Sequence, residues 1–152
     1  MTNTSFSSES EKPLVVTAAI ILDRDDRILL AQRQPDAKAE ASKWEFPGGK
    51  VEAFEHPEDA LRREIKEELD LEIQIESIFD VSSHVFAIAG GRRHIVLLCY
   101  MCRVNETEFK LLDAADARWI DSDDLDQFDF AAPDVPVVKK LKAWFDSGSG
   151  HR

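Results

Sequence analysis

The segment Phe46–Leu71, FPGGKVEAFEHPEDALRREIKEELDL, places a dense group of carboxylates directly after two consecutive glycines. Within it, Pro57–Leu69 has the clearest helical pattern of the chain, because apolar residues recur at helical spacing: Ala60, Leu61, Ile65 and Leu69. Pro57 suits the first helical turn, and the acidic residues after it favour the positive end of the helix dipole. The segment therefore predicts a helix with one apolar face and one acidic face.

The acidic face contains Glu64, Glu67 and Glu68, whose spacing makes them project from one side of the helix. Carboxylates this close repel one another, and a hard divalent cation that prefers oxygen ligands would relieve the repulsion. Mg²⁺ fits best, and Mn²⁺ is chemically similar. Gly48 and Gly49 would let a backbone carbonyl reach the metal, or let a phosphate come close. The alternative is a solvated acidic face without a ligand.

Arg63 lies directly before the acidic turn. An arginine there can hold a carboxylate in place through two parallel hydrogen bonds. Glu55, just upstream of the helix, is the partner that the sequence suggests. We therefore expect an ion pair between these two side chains.

The 152-residue chain is long enough for one domain with a sizeable core, since hydrophobic residues make up 43% of it. Its formal net charge of −11 lacks the basic excess that binding to a nucleic-acid polymer requires. A single polyphosphate could still bind if a divalent metal bridged the two negative partners. Composition therefore favours a small-molecule ligand.

Nothing in the apolar runs predicts a membrane protein. Residues 1–12 are polar and have neither the apolar core nor the positive start of a signal peptide. No apolar run reaches membrane-spanning length, so a cytoplasmic protein is the expectation. Cys99 and Cys102 are interpreted as two small residues on opposite sides of a strand; the alternative is a redox or metal-binding C-x-x-C pair.

The order of apolar runs and turn residues predicts the architecture. Leu14–Leu22 and Ile28–Ala31 form a first hairpin, KWEF a short strand before the Gly-Gly turn, residues 71–104 a long hairpin, and DARWID a further strand. A second helix begins near Asp134 or Pro136. This is an α/β or α+β order, typical of a mixed sheet between helices. We expect one domain over residues 13–146, a disordered N-terminal tail (1–12) and a flexible C-terminal tail (147–152).

The acidic segment resembles the Nudix box, G-x5-E-x7-R-E-U-x-E-E-x-G-U, in which U is a bulky aliphatic residue. Gly49 opens the pattern, Glu55 follows after five residues, and Arg63 follows after seven more. The remaining matches are Glu64, Ile65, Glu67, Glu68 and Leu71. One position differs, because Asp70 stands in place of the last glycine. A glycine would end the helix in the left-handed conformation, which Asp tolerates better than most residues.

The resemblance, which extends over Leu14–Phe145, implies a fold, a reaction and a set of ligands. Nudix proteins have a mixed sheet between helices, and most hydrolyse a nucleoside diphosphate linked to another group. The metal ligands would be Glu64, Glu67, Glu68 and the carbonyl of Gly48. Arg63 and Glu55 would be orienting residues, and together with the three glutamates they would form the catalytic group. Water activated by the metal would attack a phosphorus, and an acidic residue would take its proton.

Within the family, WEFPGGKVE and FAAPDVPVVKKL are similar to segments of the MutT-type enzymes and of the CTP pyrophosphohydrolases. This similarity adds Asp113, on the loop before the RWID strand, to the metal ligands. It assigns Arg33 and Arg93 to the nucleotide, with a solvated surface arginine as an equal alternative for each. It implies that Asp134 reads the base where MutT itself has Asn.

The side chain of Asp134 bears on the choice of base. An ionised Asp offers only acceptors, so it would favour a base edge rich in N–H groups, as in cytosine, guanine or oxidised guanine. The alternative is that Asp134 caps the last helix. Phe46 and Phe86 would stack on the base, or else belong to the core. His84 and His94 are interpreted as structural residues.

These observations favour a Mg²⁺-dependent nucleoside triphosphate pyrophosphohydrolase acting on 8-oxo-dGTP, or on CTP or a modified pyrimidine triphosphate. A second hypothesis keeps the Nudix chemistry, with ADP-ribose or another nucleoside diphosphate derivative as substrate. A third is a nucleotide-binding Nudix sensor without catalysis, which the intact acidic residues disfavour. The expected partner is a nucleotide and neither a nucleic-acid polymer nor a membrane, and the protein is expected to be a monomer or a homodimer.

Overall fold

The computed structural model describes residues 12–149 of the chain. The disordered tail expected over residues 1–12 lies outside the described residues except for Lys12. Of the expected C-terminal tail, residues 147–149 form a hydrogen-bonded turn after the last helix, and residues 150–152 lie outside the described residues. No helix within residues 12–149 is long and apolar enough to cross a membrane.

The elements follow the predicted order. The strands are β1 (Leu14–Leu22), β2 (Ile28–Gln32), β3 (Trp44–Glu45), β4 (Gly48–Lys50), β5 (Gln74–Ile88), β6 (Gly91–Arg103) and β7 (Asp116–Ile120). The helices are α1 (Pro57–Leu69) and α2 (Val135–Asp146), and two short 3₁₀ helices, Ser122–Gln127 and Ala132–Asp134, precede α2. The two predicted hairpins and both predicted helices are confirmed.

All the strands belong to one mixed sheet. Its path runs β3-β2-β1-β6-β5, with β4 paired to β1 and β7 paired to β2. β1 and β6 run parallel, whereas the other neighbouring strands are antiparallel. The parallel pairing extends from Leu14 opposite Ile95 to Leu22 opposite Arg103, so these two strands form the centre of the sheet.

Side chains of the central strands alternate between two apolar layers, one on each face of the sheet. On one face, Ala18 and Ile20 belong to a layer that includes Val137 of α2. On the other face, Ala19 belongs to a layer that includes Leu61 of α1. Because both faces are covered, β1 is a nearly continuous apolar run. The expected mixed sheet between helices is confirmed.

The two cysteines of β6 follow the same alternation. Both are buried and free, with Cys99 in the layer under α2 and Cys102 in the layer under α1. Burial raises the pKa of both thiols. The interpretation as two strand residues on opposite faces is therefore confirmed.

Both ends of α1 are capped locally. At the N-terminus, Nδ1 of His56 accepts a hydrogen bond from the backbone N–H of Glu58 at 3.0 Å, and Pro57 occupies the first turn. At the C-terminus, Asp70 adopts the left-handed conformation (φ 53°, ψ 44°) and donates its N–H to the carbonyl of Lys66. The left-handed ending expected at this position is confirmed, and a 3.1 Å ion pair with Lys66 holds the Asp70 carboxylate.

The predicted turn at Gly48 and Gly49 is wrong, because these residues form β4 against β1. The reason is close packing on both sides of the strand. A Cβ on Gly48 would lie 2.0 Å from the carbonyl oxygen of Thr17, and a Cβ on Gly49 would lie 2.2 Å from the side-chain Cδ of Glu64. The glycines therefore permit close approach within a strand and do not reverse the chain.

Gly48→Ala should destabilise the protein more than Gly49→Ala. At Gly48 the added methyl group meets the β1 backbone, which cannot move without disturbing strand pairing, so we expect a loss of about 1–3 kcal/mol. At Gly49 it meets the end of a side chain that can rotate away. Urea unfolding of both variants and the wild type measures the difference. Equal free energies of unfolding for Gly48→Ala and the wild type would contradict the close approach.

Candidate active site

The guanidinium group of Arg63 joins the loop before α1 to the acidic face of that helix. Its Nε and Nη2 donate to the two carboxylate oxygens of Glu55 at 2.9 and 3.0 Å. Its Nη1 donates to Glu64 at 3.2 Å and to Glu67 at 3.4 Å, and Nη2 also donates to the carbonyl of Lys50 at 3.1 Å. The expected ion pair with Glu55 is present, and its hydrogen bonds lower the pKa of that carboxyl.

The carboxyl groups of Glu64 and Glu68 contact each other on the acidic face. Burial, followed by the hydrogen bond to Glu64 and its charge, raises the pKa of Glu68 to about 9. Two carboxyl groups this close repel unless a proton or a cation lies between them. Glu64 also rests over Gly49, where any side chain would displace it. The absence of a side chain at Gly49 thus leaves room for the Glu64 carboxyl group beside β4.

The carboxyl groups of the acidic face fit a hard divalent cation, because their oxygens lie beside the backbone of β4. A cation there would also neutralise the negative charge that raises the pKa of Glu68. In the part of the chain that the structure describes, no group of three or more His, Cys, Asp or Glu side chains is arranged as a complete metal site. Glu67, whose side chain is 60% exposed, pairs its carboxylate with Nη1 of Arg63 at 3.4 Å.

β4 also borders a cavity of about 630 Å³. Its lining includes all the substrate-binding residues expected from the sequence, together with the expected metal ligand of β4: Arg33, Phe46, Arg93, Asp134 and Gly48. Much of the remaining lining consists of apolar side chains of β1, β5 and β6, as is usual for a small-molecule site. Because Gly49 touches both the cavity and Glu64, β4 connects the cavity to the acidic face.

Asp134 lines the cavity and is only 5% exposed. Its Oδ2 accepts a hydrogen bond from the backbone N–H of Phe46 at 2.9 Å. Asp134 stands at the N-cap position of α2, as the alternative expected, but its side chain makes no capping hydrogen bond to the helix. Burial and then the charge of Glu45 raise the pKa of Asp134 well above its ordinary value. A raised pKa favours the neutral acid, which offers a donor as well as an acceptor, over the ionised carboxylate, which offers only acceptors.

Glu45 is a cavity-lining carboxylate that was not expected from the sequence. Its Oε1 accepts a hydrogen bond from Nη1 of Arg33 at 3.2 Å, yet burial raises the pKa of Glu45 in spite of this partner. Its own charge contributes to the raised pKa of both Asp134 and Glu68. The alternation of WEF, with its aromatic residues in the layer under α2, is the signal that Glu45 points the other way.

Asp113 lies near the acidic face and is exposed. The backbone N–H of its neighbour Leu112 donates to the carbonyl of Glu68 at 3.0 Å, which places Asp113 beside the end of α1, and its charge contributes to the raised pKa of Glu45 and of Glu68. Its backbone carbonyl accepts a hydrogen bond from Nε2 of Gln34 at 2.6 Å, so the loop before β7 is tied to the loop after β2. Its contact with a metal stays a prediction.

The aromatic residues and histidines have distinct places. Phe46 is buried in the layer under α2 and also contributes to the cavity wall. Phe86 lines the cavity from β5, where His84 packs against its ring edge-to-face with centroids 4.4 Å apart. Arg93 pairs with Phe86 across the β5–β6 ladder, so these two residues stand together at the cavity. His94 forms a hydrogen bond with a serine of β5, outside the cavity lining.

Further polar residues of the cavity lining were not expected from the sequence: Thr17, Lys38 and Glu40. Oγ1 of Thr17 donates to the carbonyl of Gly49 at 3.2 Å, which fixes β4 on β1. Oε1 of Glu40 accepts a hydrogen bond from the N–H of Ala132 at 2.7 Å, which ties the loop after β2 to the segment before α2.

Residues 12–145 match the NUDIX domain, and the chain therefore belongs to the Nudix family as a Nudix hydrolase. The 8-oxo-dGTP diphosphatase of Escherichia coli (strain K12) is 34% identical to it over 131 residues, which cover 86% of this chain and 98% of that protein. The CTP pyrophosphohydrolase of the same strain is 32% identical over 130 residues, covering 86% and 93%. A crystal structure of the MutT NUDIX hydrolase from Burkholderia pseudomallei superposes with a TM-score of 0.75 at 31% identity, covering 86% of this chain and 99% of that one.

Asp134→Asn should flatten the pH dependence of stability. Because the folded-state pKa of Asp134 is raised, the folded protein binds more protons than the unfolded chain above about pH 3.8, and the free energy of unfolding falls as the pH rises toward the raised pKa. Asn does not titrate but still offers Phe46 an acceptor. Between about pH 3.8 and the raised pKa, the free energy of unfolding of the variant should therefore rise by about 1.4 kcal/mol per pH unit relative to that of the wild type.

Urea unfolding at a series of pH values measures this gain. Asp25→Asn, which neutralises an exposed carboxylate in the β1–β2 turn, is the control and should stay parallel to the wild type. A difference between Asp134→Asn and the wild type that does not vary with pH would contradict the burial of an ionisable carboxyl group.

Proposed function

We propose that the protein hydrolyses nucleoside triphosphates to the monophosphate and pyrophosphate, with Mg²⁺ or Mn²⁺ as cofactor. The observation that carries this proposal is the position of β4, because Gly49 both lines the cavity and contacts Glu64 on the acidic face. A nucleotide whose base and sugar occupy the cavity would extend its phosphates toward the acidic face. We also propose that the protein acts in the cytoplasm, where nucleoside triphosphates are abundant.

The residues of the acidic face have distinct roles in this proposal. The cation would be held by Glu64, Glu67, Glu68, the carbonyl of Gly48 and Asp113. Arg63 is a positioning residue, since it holds Glu64 and Glu67 and is itself held by both oxygens of Glu55. When bound, the divalent metal lowers the pKa of the attacking water and neutralises charge on the phosphates.

Hydrolysis requires one proton acceptor on the protein. The oxygen of water forms a bond to a phosphorus of the triphosphate while the bond from that phosphorus to the pyrophosphate oxygen breaks. A carboxylate of the acidic face accepts the proton that the water loses.

The base is proposed to be that of 8-oxo-dGTP, CTP or a modified pyrimidine triphosphate. The relatives named 8-oxo-dGTP diphosphatase and CTP pyrophosphohydrolase support a triphosphate with one of these bases. Asp134 would read the base edge, and its neutral form complements an edge that carries both a donor and an acceptor. Phe46 and Phe86 would contact the base, and Arg33 and Arg93 the rest of the nucleotide.

Glu68→Gln should abolish pyrophosphate release and leave the fold intact. Loss of an outer partner of a metal ligand commonly costs 10–100-fold in activity, so we expect loss of the ligand itself to cost more than about 100-fold. Initial rates with Mg²⁺ and a thermal melt measure the two effects. Glu58→Gln, on the first turn of the same helix, is the control and should keep its activity. Full activity of Glu68→Gln would contradict the assignment.

Asp134→Asn should change the ranking of substrates. Pyrophosphate release is compared for CTP, dCTP, 5-methyl-dCTP, dGTP and 8-oxo-dGTP, with ADP-ribose as the non-triphosphate reference. A lost or gained hydrogen bond to one base should shift relative kcat/KM by about tenfold. An unchanged ranking of substrates would contradict the proposal that Asp134 reads the base. Absence of turnover for every triphosphate would overturn the proposed reaction and leave the diphosphate-linked substrates.

A further inference from the structure

Asp113 lies on the segment between β6 and β7, and the residues just before it are hydrogen-bonded to the last turn of α1. The backbone N–H of Lys110 donates to the carbonyl of Leu69 at 2.9 Å. The backbone N–H of Leu112 donates to the carbonyl of Glu68 at 3.0 Å. Carbonyls of a last helical turn have no partner within the helix, so these two bonds satisfy them from outside. The residue before Asp113 is therefore fixed to the backbone of Glu68.

The other side of Asp113 is held by β2 and by the loop that follows it. The backbone N–H of Ala115 donates to the carbonyl of Gln32, the last residue of β2, at 2.9 Å. Closer to Asp113, the side-chain Nε2 of Gln34 donates to the Asp113 carbonyl at 2.6 Å. Gln34 is thus the side chain that reaches Asp113 itself, from a position 79 residues away in sequence.

The Asp113 carboxylate is left available for a ligand. Within residues 12–149 it makes no hydrogen bond or ion pair, and the bond from Gln34 is made to the backbone carbonyl. Its charge nevertheless acts on Glu68, because it contributes to the raised pKa of that residue. A cation between the two carboxyl groups would be attracted by both in their ionised forms.

We propose that Gln34 is a positioning residue for the divalent cation, because its side-chain amide sets the direction in which Asp113 presents its carboxylate. The held carbonyl belongs to the peptide unit directly after Cα of Asp113, so the hydrogen bond restricts the ψ torsion of that residue. Asp carries one methylene group fewer than Glu, and its side chain can therefore compensate less for a misplaced backbone. The inference rests on the cation site of the proposed function, in which Asp113 and Glu68 are ligands, and not on the identity of the nucleotide.

A neutral amide suits this position. Gln donates a hydrogen bond without bringing a positive charge close to the cation, whereas Lys or Arg would repel it. The neighbouring residue Arg33 is paired with Glu45 at 3.2 Å, so its positive charge is compensated there. The loop after β2 thus presents a charge-compensated arginine to the cavity and an uncharged donor to Asp113.

The test is Mn²⁺ binding to the full chain without nucleotide, followed by the electron paramagnetic resonance signal of free Mn²⁺. Loss of an outer partner of a metal ligand commonly weakens metal binding about 10–100-fold, so Gln34→Ala should raise the dissociation constant at least tenfold. Gln34→Met keeps the length of the side chain but has no donor, and it should lose as much. Gln32→Ala is the matched control and should bind Mn²⁺ like the wild type, because Nε2 of Gln32 donates to the carbonyl of Ser42 at 3.1 Å.

A double-mutant cycle separates positioning from a general effect on the structure. Asp113→Ala should itself weaken Mn²⁺ binding, and adding Gln34→Ala to it should cause no further loss, since no carboxylate remains to be positioned. The same loss from Gln34→Ala with and without the Asp113 carboxylate would overturn the proposal. So would wild-type Mn²⁺ affinity of the Gln34 variants.

Pyrophosphate release from triphosphates is a separate readout. Hydrolysis by the wild type, together with normal Mn²⁺ binding by the Gln34 variants, would reject the inference and leave the proposed function standing. Wild-type Mn²⁺ affinity of Asp113→Ala would also reject the inference, since it would remove Asp113 from the ligands. Absence of hydrolysis of every triphosphate, together with the expected loss of Mn²⁺ affinity in the Gln34 variants, would reject the proposed reaction and leave the positioning role of Gln34 in place.

Discussion

The candidate active site depends on the Arg63 guanidinium group, which fixes three separate parts of the chain at once. Two of its nitrogens hold Glu55 from the loop, and the same group reaches Glu64, Glu67 and the carbonyl of Lys50 at the end of β4. A planar fork with five donors can do this, whereas a single ammonium group cannot span the same partners. Arg63 therefore orients Glu64 and Glu67 of the acidic face relative to Glu55 and the end of β4.

Much of the fold could be predicted because its signals are local. The apolar spacing of Pro57–Leu69 gave the helix its observed bounds, and the two apolar runs of the first hairpin are both strands. β4 was missed because two adjacent glycines favour a turn in any local reading. Their role is set by Thr17 and Glu64, which approach from distant parts of the chain. The strand conformation of this segment therefore depends on contacts between distant elements, and local propensity does not record such contacts.

The site shows the same division between local and distant signals. The contact of Arg63 with Glu55 follows from spacing within one segment, and the structure contains it. The bond from Phe46 to Asp134 joins residues 88 apart in sequence, so the burial that raises the pKa of Asp134 could not be read from either segment alone. Glu45 was overlooked for a related reason. A lone carboxylate beside two aromatic residues gains meaning only when the fold places it on the cavity wall, where its charge also raises the pKa of Glu68.

Asp134, Glu45 and Glu68 form an electrostatically linked set that runs from the cavity to the acidic face. Glu45 raises the pKa of both of the others, and Arg33 lowers that of Glu45 and that of Asp134. A ligand that engages Arg33 with its own negative groups would weaken this compensation, and protonation of Glu45 or Asp134 would become more favourable. A cation at Glu68 would have the opposite effect, because it removes the need for a proton there. The three carboxyl groups thus share one electrostatic environment that extends from the cavity to the acidic face.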